Sequence, residues 1–350
     1  MHDLPQPPTE QLAGHGAGRE MRVTLAMNGG VSLAVWMGGV VGEVYRASRG
    51  EGLYGPLCRM LDTDICIDSL TGASAGGLNS VFLGAALTRD LPASRFDELR
   101  DVWLTAGSFS TLLRDRREPD PPSLLQGDGV LLAATERVLQ LWMAEPPVAP
   151  PPGRPDLELV LTTTTLQPMA TGLTDSIGNT IVDPRHRAQF HFTGEMLSDP
   201  ATADLRARQM AKAARSTASF PGAFEPSYVH IGATTAATAK EVDMAGVIGL
   251  DRSMWVVDGG VLMNKPIAPA LDMIERHRFA KPGDRVLVYV NPDPGSPVAP
   301  DPAERTAMPG IASVIFASVV GVPRQESLAA DLAEIGEYNR RFGLRRKLRE

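Results

Sequence analysis

The sequence predicts an α/β domain with a mostly parallel central sheet covered by helices on both faces. Short apolar, β-branched runs alternate with longer segments in which apolar residues recur at helical spacing. Two of these runs end in glycine-rich turns that lead into a helical segment. No internal repeat is present, and the 350 residues are enough to bury a large core.

Apolar runs bounded by turn residues are predicted as strands because they are short and rich in β-branched residues. They lie at 22–27, 64–71, 157–165, 187–192, 253–257 and 285–291. Other segments place apolar residues three or four positions apart, as Phe96, Leu99 and Trp103 do, and are predicted as helices. They lie at 31–48, 78–88, 94–105, 130–143, 201–216, 266–278, 311–320 and 325–341.

Polar, proline- and glycine-rich composition sets three regions apart from the rest of the chain. Residues 1–20 are expected to form a disordered tail, and the domain to occupy 21–335. Within the domain, residues 107–155 are interpreted as a proline-rich insertion that ends in an extended connector. The charged segment 336–350 is expected to be helical. The chain stops inside it, which suggests that a longer protein continues.

Composition excludes several classes of function. The formal net charge of −7 gives no electrostatic support for nucleic-acid binding. No apolar stretch is long enough to span a bilayer, and residues 1–20 do not resemble a signal peptide. We therefore expect a cytoplasmic protein that meets any membrane from the aqueous side, with Cys58 and Cys66 as buried, reduced thiols.

A serine nucleophile is predicted at Ser74. Gly72-Ala73-Ser74-Ala75-Gly76 fits the pattern G-x-S-x-G, in which a sharp strand-to-helix turn exposes the serine oxygen. The small neighbours let the strand and the helix approach closely, and the pattern lies between a predicted strand and a predicted helix. An ordinary glycine-rich turn is the structural alternative.

A serine nucleophile needs a general base, and Asp258 is the candidate. It follows the strand predicted at 253–257 and precedes Gly259 and Gly260. Its carboxylate is therefore expected at the carboxyl edge of the sheet, together with Ser74. No histidine has an obvious catalytic setting. His277 lies in a charged helix end and is expected to be solvated, and no paired metal site is expected.

Backbone N–H donors for an oxyanion are expected directly after the first strand. Asn28-Gly29-Gly30 forms a glycine-rich turn there, which leaves N–H groups exposed, although a plain turn would look the same. Neither GxGxxG nor GxxxxGK[ST] occurs in the chain, so a phosphate-binding loop is not expected.

Five blocks in this order resemble the patatin-like phospholipases. They are LAMNGG at 25–30, the G-x-S-x-G pattern, AARSTASFPGAFEP at 213–226, Asp-Gly-Gly at 258–260 and Asn-x-Pro at 264–266. The resemblance extends from residue 21 to the early 320s.

This resemblance implies a three-layer α/β/α domain that cleaves fatty-acyl esters of lipids or phospholipids without metal or cofactor. Ser74 would be the nucleophile and Asp258 the general base of a Ser–Asp dyad. Backbone N–H groups at Gly29, Gly30 and Val31 would hold the oxyanion. Peripheral contact with a membrane surface follows from such a substrate.

Two alternatives stay open. Valine replaces the family's usual third glycine at Val31, and Leu33 replaces a usual basic residue, which would suit a catalytically weak lipid-binding module of the same fold. The chain order of Ser74, Asp258 and His277 also fits a Ser-Asp-His α/β-hydrolase, although only one or two strands precede the serine.

Overall fold

The computed structural model describes residues 18–30, 34–148, 156–174, 180–277, 283–292 and 310, together with 332–333, 335–337 and 339–341. The predictions made for Val31, for Leu33 and for the segments 149–155 and 311–331 lie outside this part of the chain, as does most of 336–350. Within it, no helix combines the length and the apolar character needed to cross a bilayer.

Seven β-strands in the described part form one mixed sheet. They are β1 (Arg19–Met27), β2 (Thr63–Gly72), β3 (Glu158–Thr174), β4 (Thr180–Thr193), β5 (Ser227–Val229), β6 (Met254–Asp258) and β7 (Gly283–Val290).

The α-helices of the described part are α1 (Ala34–Ser48), α2 (Tyr54–Met60), α3 (Ala75–Arg89), α4 (Ser94–Ala106), α5 (Phe109–Leu112), α6 (Ala133–Met143), α7 (Gly194–Ser198), α8 (Ala203–Thr217), α9 (Gly260–Met263) and α10 (Ile267–Arg276). A π-helical turn at Gly127–Leu132 leads into α6.

The order of strands in the sheet is β5-β6-β3-β2-β1-β7, and β4 pairs with β3 outside this path. β1 pairs in parallel with β2 and β7, and β2 pairs in parallel with β3. β4 and β6 run antiparallel to β3, and β5 runs antiparallel to β6. Most of the described strands therefore point the same way, which confirms the predicted α/β fold with a mostly parallel sheet.

Helices cover both faces of this sheet. α3 packs against β1, β2 and β3, with α1, α6 and α8 around it, whereas α10 packs against β1, β2 and β7 on the opposite face. Because α3 is enclosed in this way, nearly all its residues are buried. Phe82 at its centre makes edge-on contacts with Trp103 and Trp142, at ring-centroid distances of 5.8 and 5.4 Å. Burial of one such ring contributes roughly 2–3 kcal/mol.

Two strand boundaries differ from the prediction because distant partners extend a local pattern. β1 begins at Arg19, whose N–H donates to the carbonyl of Asp62. The last two residues of the predicted tail at 1–20 therefore belong to the first strand. β3 continues from the predicted end at Thr165 to Thr174, because β4 supplies antiparallel partners again from Met169 to Thr174, beyond an irregularity after Thr164.

The short helices α2 and α5 were not predicted. Glycines surround α2, and Pro56 lies in its first turn, where proline's missing N–H leaves no hydrogen bond unmade. Inside the predicted insertion at 107–155, α6 follows the π-helical turn and confirms the helix predicted at 130–143. Leu139 and Trp142 of α6 are buried, so this helix belongs to the core.

Candidate active site

Strands β2 and β6 approach each other end to end along one side of β3. Leu159 of β3 pairs with both β2 and β4, and Thr163 pairs with both β6 and β4. Since β4 occupies one side of β3 at both levels, β2 and β6 must share the other side. Gly72 pairs with Leu161 and Asp258 with Thr163, so the two strand ends are roughly 7 Å apart along β3.

The direction of β6 corrects the route by which we expected Asp258 to reach Ser74. Asp258 was placed at the carboxyl edge of parallel strands, whereas β6 runs antiparallel to β3. The carboxylate nevertheless arrives at the level of the β2 end, because β6 begins beyond that level and runs back to it.

Ser74 occupies a strained backbone conformation between β2 and α3, with φ 50° and ψ −121°. Serine rarely adopts a positive φ, and such strain is often found at functional turns. Tight packing maintains the turn. A methyl group built on Gly72 would lie 2.5 Å from the carbonyl carbon of Gly76, and one built on Gly76 would lie 2.3 Å from the carbonyl oxygen of Met27. Only glycine fits either position without backbone movement.

Asp258 is buried, with 1% exposure, and its backbone is fixed from two sides. Its carboxylate oxygen Oδ1 accepts the N–H of Gly260 at 2.6 Å, and its own N–H donates to the carbonyl of Ser219 at 3.0 Å. A methyl group on Gly259 would lie 2.2 Å from Thr162 Oγ1, so the first glycine after Asp258 is required by close contact with β3.

Thr217, at the end of α8, contacts both strand ends and was not singled out from the sequence. Its hydroxyl oxygen accepts the N–H of Ser74 at 2.9 Å, and its carbonyl accepts the N–H of Gly259 at 3.2 Å. One residue therefore connects the turn that carries Ser74 with the turn that follows Asp258. Thr217 lies within the small-residue block noted at 213–226, but the spacing of residues in the sequence does not predict which segments it contacts.

The glycine-rich turn after β1 lies beside Ser74. A methyl group built on Gly29 would be 3.0 Å from Ser74 Cβ, and Gly30 is buried. Ala73 N–H donates to the carbonyl of Met27 at 3.1 Å, which joins the ends of β1 and β2. The structure thus brings Gly29 to the serine, while Val31, the third predicted donor, lies outside the described residues.

Residues 25–271 match the patatin-like phospholipase family, a span that contains the turn after β1, Ser74 and Asp258. The chain belongs to the patatin-like phospholipase family. This match confirms the family that the five sequence blocks resemble.

This chain is 34% identical to a protein of Mycobacterium tuberculosis, over an alignment 354 positions long. That protein is named an uncharacterized membrane protein. The alignment covers 91% of this chain and 32% of that protein. The patatin-like chain thus spans about a third of the length of this relative.

The segment before α6 is attached to the patatin-like core through Glu225. The carboxylate of Glu225 accepts N–H groups of Gly127 and Asp128 and the hydroxyl of Ser123. Burial opposes ionisation, but these hydrogen bonds outweigh it and lower the pKa of Glu225 to about 2. The fully buried Arg215 donates to the Glu225 carbonyl at 2.8 Å. This part of the predicted insertion is therefore held against α8.

His277 is half-buried and lies in a charged network, which corrects our expectation that it is solvated. Its Nδ1 lies 3.5 Å from Asp68 and its Nε2 lies 3.5 Å from Glu158, with 10% of the side chain exposed. Nδ1 is also 3.3 Å from the hydroxyl of Ser69, five residues before Ser74 on β2. β2 continues for three residues beyond Ser69, roughly 10 Å, before the turn that carries Ser74. The structure does not bring His277 to Ser74.

The same network changes the pKa values of its members. Burial opposes protonation of His277, but hydrogen bonds to Asp68 and Glu158 outweigh burial and raise its pKa to about 9. Burial would raise the pKa of Asp68, yet His277 and Arg285 hold it below its usual value. An imidazole that is protonated at neutral pH and has a carboxylate at each nitrogen is a poor general base.

Folding stability is expected to decrease above neutral pH because of His277. The pKa rises from about 6.5 in the unfolded chain to about 9 in the fold, so the stabilisation is complete below the first value and lost as pH rises through the second. The expected loss is on the order of 1–3 kcal/mol. Urea unfolding between about pH 6 and pH 10 measures it. The His277→Gln variant, as the control, should show a flatter profile, and equal profiles would contradict the prediction.

No group of three or more His, Cys, Asp or Glu residues within the described ranges has the geometry of a metal site. Cys58 and Cys66 form no disulfide; Cys66 is buried and Cys58 is half-buried.

Proposed function

We propose that this domain cleaves fatty-acyl ester bonds of phospholipids or related lipids through an acyl-enzyme, with Ser74 as nucleophile and Asp258 as general base. The observation that carries the proposal is the end-to-end approach of β2 and β6. It presents a serine on a strained turn and a buried aspartate at neighbouring levels of one strand. Thr217 then holds the two turns together.

The chemistry requires one proton acceptor and one set of oxyanion donors. The hydroxyl oxygen of Ser74 bonds to the acyl carbon while Asp258 takes the hydroxyl proton. The electron pair of the C=O double bond moves onto the carbonyl oxygen, which becomes the oxyanion. Collapse of this intermediate expels the alcohol or lysolipid, which takes the proton from Asp258. Water, activated in the same way, then releases the fatty acid. N–H groups of the turn at Gly29 and Gly30 are the proposed oxyanion donors.

A dyad accounts for the structure better than a Ser-Asp-His triad. His277 bridges Asp68 and Glu158 and contacts β2 at Ser69, well before the strand reaches Ser74. Both of its nitrogens already face carboxylates, so neither is available to a serine hydroxyl.

A lipid substrate also suits the surface around the site. Trp36 near the start of α1, Leu166 of β3 and Leu262 of α9 are apolar and substantially exposed. α1 and α9 follow closely on the turns at Gly29 and Asp258, and Leu166 follows the residue of β3 that pairs with Asp258, so all three residues belong to segments near the proposed site. Peripheral contact with a membrane surface at this edge is part of the proposal.

The test combines a serine-directed fluorophosphonate probe with panels of p-nitrophenyl esters and phospholipids. We expect covalent labelling that maps to the peptide containing Ser74, together with hydrolysis that the probe inhibits. Heat-denatured protein controls for non-specific labelling. Folded protein that binds phospholipid vesicles but takes up no probe and hydrolyses no ester would replace this proposal with the lipid-binding module.

A further inference from the structure

Asn264 lies between α9 and α10, six residues after Asp258, and only 9% of it is exposed. Among the described residues its carboxamide has no hydrogen-bond partner, and its polar atoms are not among the side-chain atoms that are both sealed and unpartnered, so they keep contact with solvent. The amide is therefore available to a ligand that enters the site.

The carboxamide lies among all the proposed catalytic elements. A methyl group built on Gly29 would be 2.5 Å from Asn264 Oδ1 and 3.0 Å from Ser74 Cβ. One built on Gly260 would be 2.8 Å from the same oxygen and 2.9 Å from Asp258 Oδ1. Asn264 thus occupies the space between the turn after β1 and the turn after β6, next to the serine.

Two other buried asparagines show what a structural role looks like in this fold. Asn28 donates through Nδ2 to Tyr289 Oη at 2.6 Å and to Asn291 Oδ1 at 3.2 Å. Asn79 donates to the carbonyls of Ala34 and Ala75, which ties α1 to α3. Each of these amides links two segments through its N–H groups, although its Oδ1 has no partner, whereas the amide of Asn264 bonds to no described residue.

A purely structural role would not need an amide at this position. An apolar side chain of similar size would fill the space between the two turns equally well, without donors and acceptors that bond to no protein group. The polar group is accounted for if its partner arrives with the substrate, because a site that stabilises an intermediate needs donors that no protein group already occupies.

We propose that Asn264 is a further catalytic residue, whose side-chain N–H donates to the ester carbonyl oxygen as it becomes an oxyanion. This inference rests on the proposed acyl-hydrolase function. The amide acts beside the backbone donors of the Gly29 turn while the Ser74 oxygen bonds to the acyl carbon and Asp258 holds the transferred proton. A side-chain donor also supplements a turn in which the third usual glycine is replaced by Val31.

Asn264→Leu is the direct test, because leucine has a similar size and no donor. We expect kcat for a short-chain p-nitrophenyl ester to fall by about 10²-fold, with KM changed by less than about threefold. Leu57→Ala, on the exposed surface of α2 and before the start of β2, is the control and should keep the wild-type kcat on this soluble ester.

Two ligands separate oxyanion stabilisation from a structural effect. An alkyl trifluoromethyl ketone forms a hemiketal oxyanion with the serine, and its affinity should fall in Asn264→Leu by about the same factor as kcat. A non-hydrolysable ether analogue of the lipid forms no oxyanion and should bind the variant and the wild type equally.

Each outcome decides the matter. A wild-type kcat in Asn264→Leu, or an equal loss of affinity for the ketone and the ether, overturns the role of Asn264 while leaving the Ser–Asp dyad in place. If the leucine variant does not fold, Asn264→Asp retains the size and removes the N–H donors, and a wild-type kcat there overturns the role as well. A wild-type protein that is inert to every ester and to the fluorophosphonate overturns both proposals.

Discussion

Replacement of Asp258 by asparagine is expected to lower kcat for ester hydrolysis by about 10²–10⁴-fold while leaving the fold intact. Asparagine cannot accept the proton of Ser74. Its Oδ1 can still accept the N–H of Gly260, and the backbone bond to Ser219 is unaffected. Steady-state kinetics on a p-nitrophenyl ester, with circular dichroism and thermal unfolding as checks on the fold, measure the effect.

The controls for Asp258→Asn distinguish a dyad from a triad. His277→Gln should keep most of the wild-type kcat at neutral pH, because the imidazole is held between Asp68 and Glu158. Ser74→Ala should be at least as inactive as Asp258→Asn. The double variant should be little worse than either single one, since the two residues act as a unit. Loss of activity in His277→Gln with an intact fold would restore the triad.

Replacement of Gly76 by alanine is expected to destabilise the domain by about 3 kcal/mol or more. The new methyl group would lie 2.3 Å from the carbonyl oxygen of Met27, 2.7 Å from its carbonyl carbon and 2.8 Å from the carbonyl oxygen of Asn28. All three are backbone atoms, so relief requires the end of β1 to separate from the start of α3. Urea unfolding measures the change in the free energy of unfolding.

Gly84→Ala is the matched control, because Gly84 lies on the same helix. A methyl group there would be 3.4 Å from Leu159 Cδ2, an ordinary contact with a flexible side chain. Alanine also favours a helix over glycine by about 0.5–1 kcal/mol, so this variant should be as stable as the wild type or slightly more so. Equal stability of the two variants would show that the elbow does not depend on the missing side chain.

The two predictions concern different properties of the same turn. Asp258→Asn changes the chemistry at a strand end whose position it preserves, whereas Gly76→Ala changes the position itself. Activity lost without loss of stability, and stability lost through one methyl group, together would indicate that the Ser74 turn is held by packing and used for catalysis.

The sequence alone determined which short segments form the fold and where two of its sharp turns lie. The alternation of apolar runs and helical spacing predicted the α/β architecture, and the glycines around Ser74 marked a strand-to-helix turn. These features depend on residues within a few positions of one another, so local composition is sufficient to reveal them. The segments that continued beyond their local pattern, such as β3 after Thr165, did so because a distant strand supplied partners.

Only the tertiary structure decided how the strands and turns that carry the proposed catalytic groups are arranged. The antiparallel direction of β6, the position of His277 between two carboxylates, and the position of the Asn264 amide beside the Ser74 turn all depend on contacts between segments far apart in the chain. The sequence pattern of an aspartate at a strand end is the same whether the strand runs parallel or antiparallel to its neighbours. Hydrogen bonding and burial depend on segments that are distant in the chain. For this reason the residues could be named from the sequence, whereas their arrangement could not be predicted.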